Sequence, residues 1–354
     1  MPSSQQSAAR QPADAIPPTA AIAPHDAAAA PGGLIAANGL HVRPVAGMVY
    51  MLLMVSLLSV NDAAAKWLTA AYPVVMIMFA RSAFGVLPAL WLARRDGGLA
   101  TLRTDRPFAH LLRSALMLAA WACFILAIAR LSLTQAFTIG YAAPLIMTAL
   151  SGPMLGEKVG AWRWGAVIVG FLGVVVAVQP GRDGINDGAL YGIAAAFLYA
   201  LAMNLSRRMS ATERSSTIFF YYTLTGLVVT AAILPFVWVP LDAADLWLFG
   251  VVAVFGSAAH YFMAQAFRFG EVSLLAPLEY TGLVWAALLG WIVWRDVPDT
   301  ATLAGAAIII ATGLVIVLRE ARLRRRAAPS LQALPCPWFQ YHARAPARPR
   351  TVAA

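Results

Sequence analysis

Long apolar runs alternate with short polar breaks along the chain, near 45–68, 73–93, 108–129, 132–151, 161–179, 188–206, 216–239, 245–267, 273–294 and 300–318. A membrane-spanning helix needs about 20 predominantly apolar residues, and each run is close to that length. The pattern predicts an all-α polytopic membrane protein with ten transmembrane helices. Two breaks are only a few residues wide, one at Tyr72 and one at Arg130 and Leu131. Residues 1–43 are rich in Ala, Pro, Ser and Gln and show no apolar period, so they are expected to form a disordered tail. A second disordered tail, basic and Pro-containing, is expected over 321–354.

The runs also repeat. At an offset of 141, Gly47 and Tyr50 fall on Gly188 and Tyr191, and Lys66 falls on Arg207. At 139, Tyr141 falls on Tyr280 and Glu157-Lys158-Val159 on Asp296-Val297-Pro298, while at 140 Gly173 falls on Gly313. The offsets agree closely, and each match occupies the same place in its half. Two five-helix repeats are therefore expected, over 44–180 and 184–320. Five is odd, so the second copy must enter the membrane from the opposite side. Such inverted repeats are frequent in secondary transporters, with the substrate site between the halves.

Composition agrees with this and narrows it. The chain is 60% hydrophobic and 12% charged, with mean hydropathy +0.71. A soluble domain carries about 25% charged residues, so no large soluble domain fits. The formal charge of +10 would suggest nucleic acid in a soluble protein, but the basic residues lie between the apolar runs or in the tails. With Arg113 left out as lying just inside a span, sixteen Lys and Arg fall in the loops and end on one side. Only Lys66, Arg130, Arg182 and Arg295 fall on the other. The excess marks the cytoplasmic side, so both termini are expected there, with the chain in the cell inner (plasma) membrane. Cys123 and Cys336 have neither metal-ligand nor disulfide spacing. No phosphate loop, H-E-x-x-H motif or dinucleotide fingerprint occurs, so neither ATP-driven pumping nor a recognisable enzyme is supported, and no cofactor or metal is expected.

Several segments resemble a known family. They are the acidic step Gly156-Glu157-Lys158, its counterpart Arg295-Asp296-Val297-Pro298, and Glu271-Val272-Ser273-Leu274-Leu275-Ala276-Pro277 at the start of the ninth run. With the two five-span halves, these are similar to the bacterial EamA-type members of the drug/metabolite transporter superfamily, over about 44–320. The resemblance implies movement of a small metabolite, such as an amino acid, amine, vitamin or nucleoside, without ATP. Asn61-Asp62 through Lys66-Trp67, then Tyr72-Pro73 and Arg81, looks like the branch containing S-adenosylmethionine and riboflavin carriers.

A charge within a span costs roughly 2.5 to 3.5 kcal/mol on insertion scales, so each intramembrane charge needs a reason. Asp62 and Arg81 lie at matching depth towards the outside. They are expected either to pair structurally or to serve transport, with Arg81 receiving an anionic group of the substrate. His260 and Glu279 lie at matching depth towards the inside and suit a proton relay; the plainer reading has His260 bonded to a backbone carbonyl. Trp121, Tyr141, Tyr199, Tyr280 and Trp285 could stack on a planar or cationic substrate, with the pseudo-symmetric Tyr141 and Tyr280 foremost. Gly282, Ala286 and Gly290 form a small-residue stripe for close packing. Pro144 and Pro277 are expected to open the fourth and ninth spans. The expected partners are a small-molecule substrate, the lipid bilayer and a coupling proton, with a homodimer open to it and no nucleic acid. The competing function is a membrane-embedded enzyme or lipid-handling protein using Asp62, His260 and Glu279.

Overall fold

The computed structural model describes residues 44–95, 97–157, 159–180, 186–210, 212–270 and 272–327. The N-terminal tail, Arg43, Lys158, Arg182, Glu271 and residues 328–354 lie outside this part. The first half comprises α1 (Pro44–Leu68), α2 (Val74–Arg95), α3 (Pro107–Arg130), α4 (Leu133–Gly140), α5 (Ala143–Leu155) and α6 (Ala161–Val178). The second comprises α7 (Asp187–Met209), α8 (Ser215–Val237), α9 (Leu246–Phe269), α10 (Val272–Glu279), α11 (Thr281–Leu289), a π-helical turn (Gly290–Trp294) and α12 (Thr300–Ala327). The last helix runs to Ala327, past the boundary at 320 expected from the apolar pattern.

Nine spans among the described residues, α4 with α5 counted as one, are long and apolar enough to cross a membrane. The tenth apolar run, 273–294, is divided into α10, α11 and the π-turn. Leu87, Phe236, Trp247 and Val284 on the outer surface are each more than 60% exposed, as contact with lipid tails requires. Several hydroxyls inside the spans are satisfied locally: Thr138, Ser206 and Thr230 each donate to the carbonyl four residues back.

Counting each long helix as one rod, α4 with α5 as rod four and α10 with α11 and the π-turn as rod nine, contacts between rods carry the pseudo-two-fold. α1 packs along α9 as α3 packs along α7, which is one contact seen twice with the halves exchanged. α2 on α8, α4 on α11 and α6 on α12 each join equivalent rods. The residues that reveal the repeat sit at these contacts. A Cβ on Gly47 would lie 2.8 Å from Gly270 Cα, and one on the matching Gly188 would lie 2.8 Å from Leu131 Cγ. Gly270 and Leu131 are themselves equivalent positions under the repeat. Tyr50 stacks on Phe269 at 5.8 Å, and its counterpart Tyr191 lies 5.0 Å beneath Arg130, the position that the repeat aligns with Phe269.

Rods four and nine end alike. Gly156 has φ 71° and Arg295 φ 60°, both left-handed, and each is followed by the acidic residue of its half. The left-handed cap halts the helix and turns the acid back over the end of the bundle. Arg295 adopts a conformation costing an ordinary residue roughly 1 kcal/mol, following the π-turn that displaces the last turn of rod nine.

Candidate functional site

Rods four and nine both break at the residue that the repeat aligns. α4 stops at Gly140 and resumes after Tyr141 and Ala142; α10 stops at Glu279 and resumes after Tyr280. The prolines lie on opposite sides of the breaks. Pro144 opens the second piece of rod four, where it offers no N–H to Gly140 O, whereas Pro277 lies inside α10, ahead of its break. Where the rods cross, Tyr141 and Tyr280 meet edge to face with ring centroids 5.2 Å apart. The Tyr141 hydroxyl donates to the backbone carbonyl of Glu279 at 2.9 Å, using an acceptor at the break. Gly282 admits that hydroxyl, since a Cβ there would lie 2.5 Å from it. The small-residue stripe therefore seats rod four.

The charged residues gather around this crossing. Asp62 is buried and accepts a 2.9 Å hydrogen bond from its neighbour Asn61. Arg81 stacks on Trp121, its guanidinium carbon 4.1 Å from the ring centroid. Asp62 and Arg81, which could have paired, do not meet within ion-pair distance. Arg81 lies within electrostatic reach of Asp62, but Asn61 holds the carboxylate and Trp121 holds the guanidinium. Gly256 on α9 makes this possible, because a Cβ there would lie 2.9 Å from Asn61 Oδ1 and 3.3 Å from Arg81 Nε. One Arg81 nitrogen, Nη1, and Asn61 Oδ1 are buried without a hydrogen-bond partner.

The expectation of two separate pairs at two depths is likewise corrected. His260 lies with Arg81, not with Glu279: both line a void of about 10 Å³ with Ser82, Phe219, Tyr222 and Gly256. The void is large enough for about one water. His260 Nδ1 lies 2.7 Å from Gly256 O, which can only accept, so Nδ1 carries a proton; its ring stacks on Phe219 at 5.2 Å. Glu279, at the end of α10, is exposed, and among the described residues no cation pairs with it. Its electrostatic neighbours are Tyr141, Tyr199 and Tyr280.

Arg113 joins the site without having stood out in the sequence. Its Nε donates to Ser206 Oγ of α7 at 2.9 Å, its guanidinium lies 5.5 Å from the Tyr222 ring, and Nη1 is buried without a partner. Tyr199, 40% exposed, stands within electrostatic reach of both Glu279 and Arg113. The signal that could have found Arg113 is depth: it lies six residues after Pro107, about 9 Å into the span at 1.5 Å per residue. The larger opening lies elsewhere. A cleft of 440 Å³ opens at one end of the bundle between Lys66, Arg130, Ser132, Trp294 and Asp296.

The model of the EamA-like transporter family matches residues 45–179 and again 186–318, one copy per half. The chain belongs to the EamA-like transporter family. This EamA-like chain is 28% identical over 283 residues to the S-adenosylmethionine uptake transporter of Rickettsia felis, covering 79% of this chain and 95% of that protein. It is 29% identical over 294 residues to the riboflavin transporter of Rhizobium johnstonii, covering 81% and 95%. It is also 29% identical over 257 residues to the pseudopaline exporter of Pseudomonas aeruginosa, covering 71% and 89%. A protein of known crystal structure shares the fold with a TM-score of 0.57 at 18% identity, over 79% of this EamA-like chain and 99% of its own. The family is one of small-molecule transporters, and this member is a multi-pass helical membrane protein.

Proposed function

We infer that this chain is a secondary carrier of the bacterial inner membrane, with both termini cytoplasmic, that moves a polar small metabolite through the crossing of rods four and nine. The observation that carries the reading is the pair of aligned helix breaks at Tyr141 and Tyr280, surrounded by intramembrane charges that lack full partners. Broken rods expose backbone acceptors where a cavity can use them. Arg81 and Arg113 offer donors to an anionic group, Glu279 and Asp62 offer carboxylates to a cationic group or a proton, and Trp121, Tyr141, Tyr199 and Tyr280 offer faces to a flat group.

The relatives named for S-adenosylmethionine, riboflavin and pseudopaline suggest cargo that combines ionic with planar or extended polar parts. Purified protein screened by thermal shift against S-adenosylmethionine, riboflavin, amino acids and polyamines, followed by flux into proteoliposomes, tests this. One class is expected to raise the melting temperature by mass action and to show saturable flux. Neither effect for any compound of a broad metabolite panel would overturn the reading.

A further inference from the structure

The repeat pairs residues across the halves as well as aligning them. Lys66 ends α1, and its counterpart Arg207 lies near the end of α7; Glu157 follows rod four, and its counterpart Asp296 follows rod nine. Exchanging the halves turns the pair Arg207–Glu157 into Lys66–Asp296. One of these pairs is made. Arg207 Nη2 lies 3.3 Å from Glu157 Oε1, and Arg163 Nη1 lies 3.9 Å from Oε2 of the same carboxylate. The other is parted: Lys66 and Asp296 line the 440 Å³ cleft together and feel each other electrostatically, but do not meet within ion-pair distance. Lys66 instead donates to Leu131 O at 2.5 Å and sits 5.1 Å from the Trp294 ring centroid.

We propose that Arg207–Glu157 and Lys66–Asp296 are symmetry-related latches, made one at a time, that close opposite ends of the path through the bundle. This rests on the transporter reading above and assigns control of access to four residues outside the central site. Two halves that are copies with exchanged surroundings have two equivalent packings, and the structure shows one of them, open at Lys66 and closed at Arg207. The latches suit such an exchange because they are weak. Glu157 and Arg207 side chains are 38% and 52% exposed, so water screens the pair. A strong latch would trap one packing, whereas two weak ones of similar size leave both populated.

A cysteine reporter tests this without cargo or flux. Ala129→Cys lines the cleft and is placed in a background carrying Cys123→Ser and Cys336→Ser, with labelling by a bulky maleimide in lipid nanodiscs. Glu157→Gln weakens the made latch and is expected to slow labelling about threefold, the size an exposed ion pair supports. Adding Asp296→Asn, which weakens the other latch, is expected to restore the original rate, which a misfolded protein would not do. An unchanged rate in Glu157→Gln, or no restoration in the double variant, would overturn the latch proposal. Because labelling needs no substrate, failure of the metabolite screen with reciprocal labelling would remove the cargo reading alone. Saturable flux without reciprocal labelling would remove the latches alone.

Discussion

The first half carries Asp62, Arg81, Arg113 and Trp121 on its first three rods, whereas the second offers His260 on its third rod and Glu279 at its broken one. Shifted by the repeat distance, Asp62 falls on Met203, Arg81 on Tyr222 and Glu279 on Gly140. None of these charges is duplicated. The frame, by contrast, is duplicated throughout: Gly47 with Gly188, Tyr50 with Tyr191, Tyr141 with Tyr280, and the left-handed caps Gly156 and Arg295. Two copies of one packing scheme therefore enclose a single asymmetric site. A symmetric scaffold can swing either way, while the cargo needs only one set of charges between the halves.

The frame is where the largest effects on stability are expected, and the two copies should not respond equally. Gly47→Ala would press a methyl group against the Gly270 backbone at 2.8 Å and the Phe269 carbonyl carbon at 3.1 Å, at the end of α9, where only a shift of backbone could relieve it. Gly188→Ala meets side-chain atoms instead, Leu131 Cγ at 2.8 Å and Arg130 Cβ at 3.0 Å, which yield more readily than backbone. A loss of about 2 to 3 kcal/mol is expected for the first and about 1 kcal/mol for the second, within the range for overpacking. Melting temperatures of the purified variants would show it. Equal losses would mean that the two contacts are as alike in strength as they are in position.

The tyrosines sharpen the comparison on a smaller scale. Tyr141→Phe deletes the donor to Glu279 O and should cost about 1 kcal/mol, the net worth of one hydrogen bond. Tyr280 makes no hydroxyl hydrogen bond among the described residues, and its hydroxyl fills the space that a Cβ on Gly313 would need. Tyr280→Phe should therefore shift the melting temperature by less than half as much. Equal shifts would mean that the break in rod four gains nothing from the break in rod nine.

Much of the frame is legible in the sequence, because run length follows bilayer thickness and because repeated glycines and acidic steps mark packing and capping that each half performs once. The matches between Lys66 and Arg207 and between Glu157 and Asp296 are visible as alignments, but only three dimensions show that they face each other across the halves. The site is less legible. Depth along a rod places Arg81 and His260 at different levels, but rotation about the rod decides neighbours, and the bare surface of Gly256 lets α9 bring His260 beside Arg81. Arg113 resembles an interfacial loop charge by its basic neighbours, although its distance from Pro107 puts it within the span. Glu279 stands out in the sequence because a carboxylate in so apolar a run carries an insertion cost that packing alone does not offset.

Glu279 is also where the central claim, that function sits at the unduplicated charges between the copies, is most exposed to test. Flux of the compound found by thermal shift would be measured in proteoliposomes under an imposed pH gradient, for the native protein and for Glu279→Gln. The account predicts that flux in the native protein follows the gradient, and that the variant keeps its thermal shift with the compound but no longer responds to pH. An unchanged pH response in Glu279→Gln would contradict it.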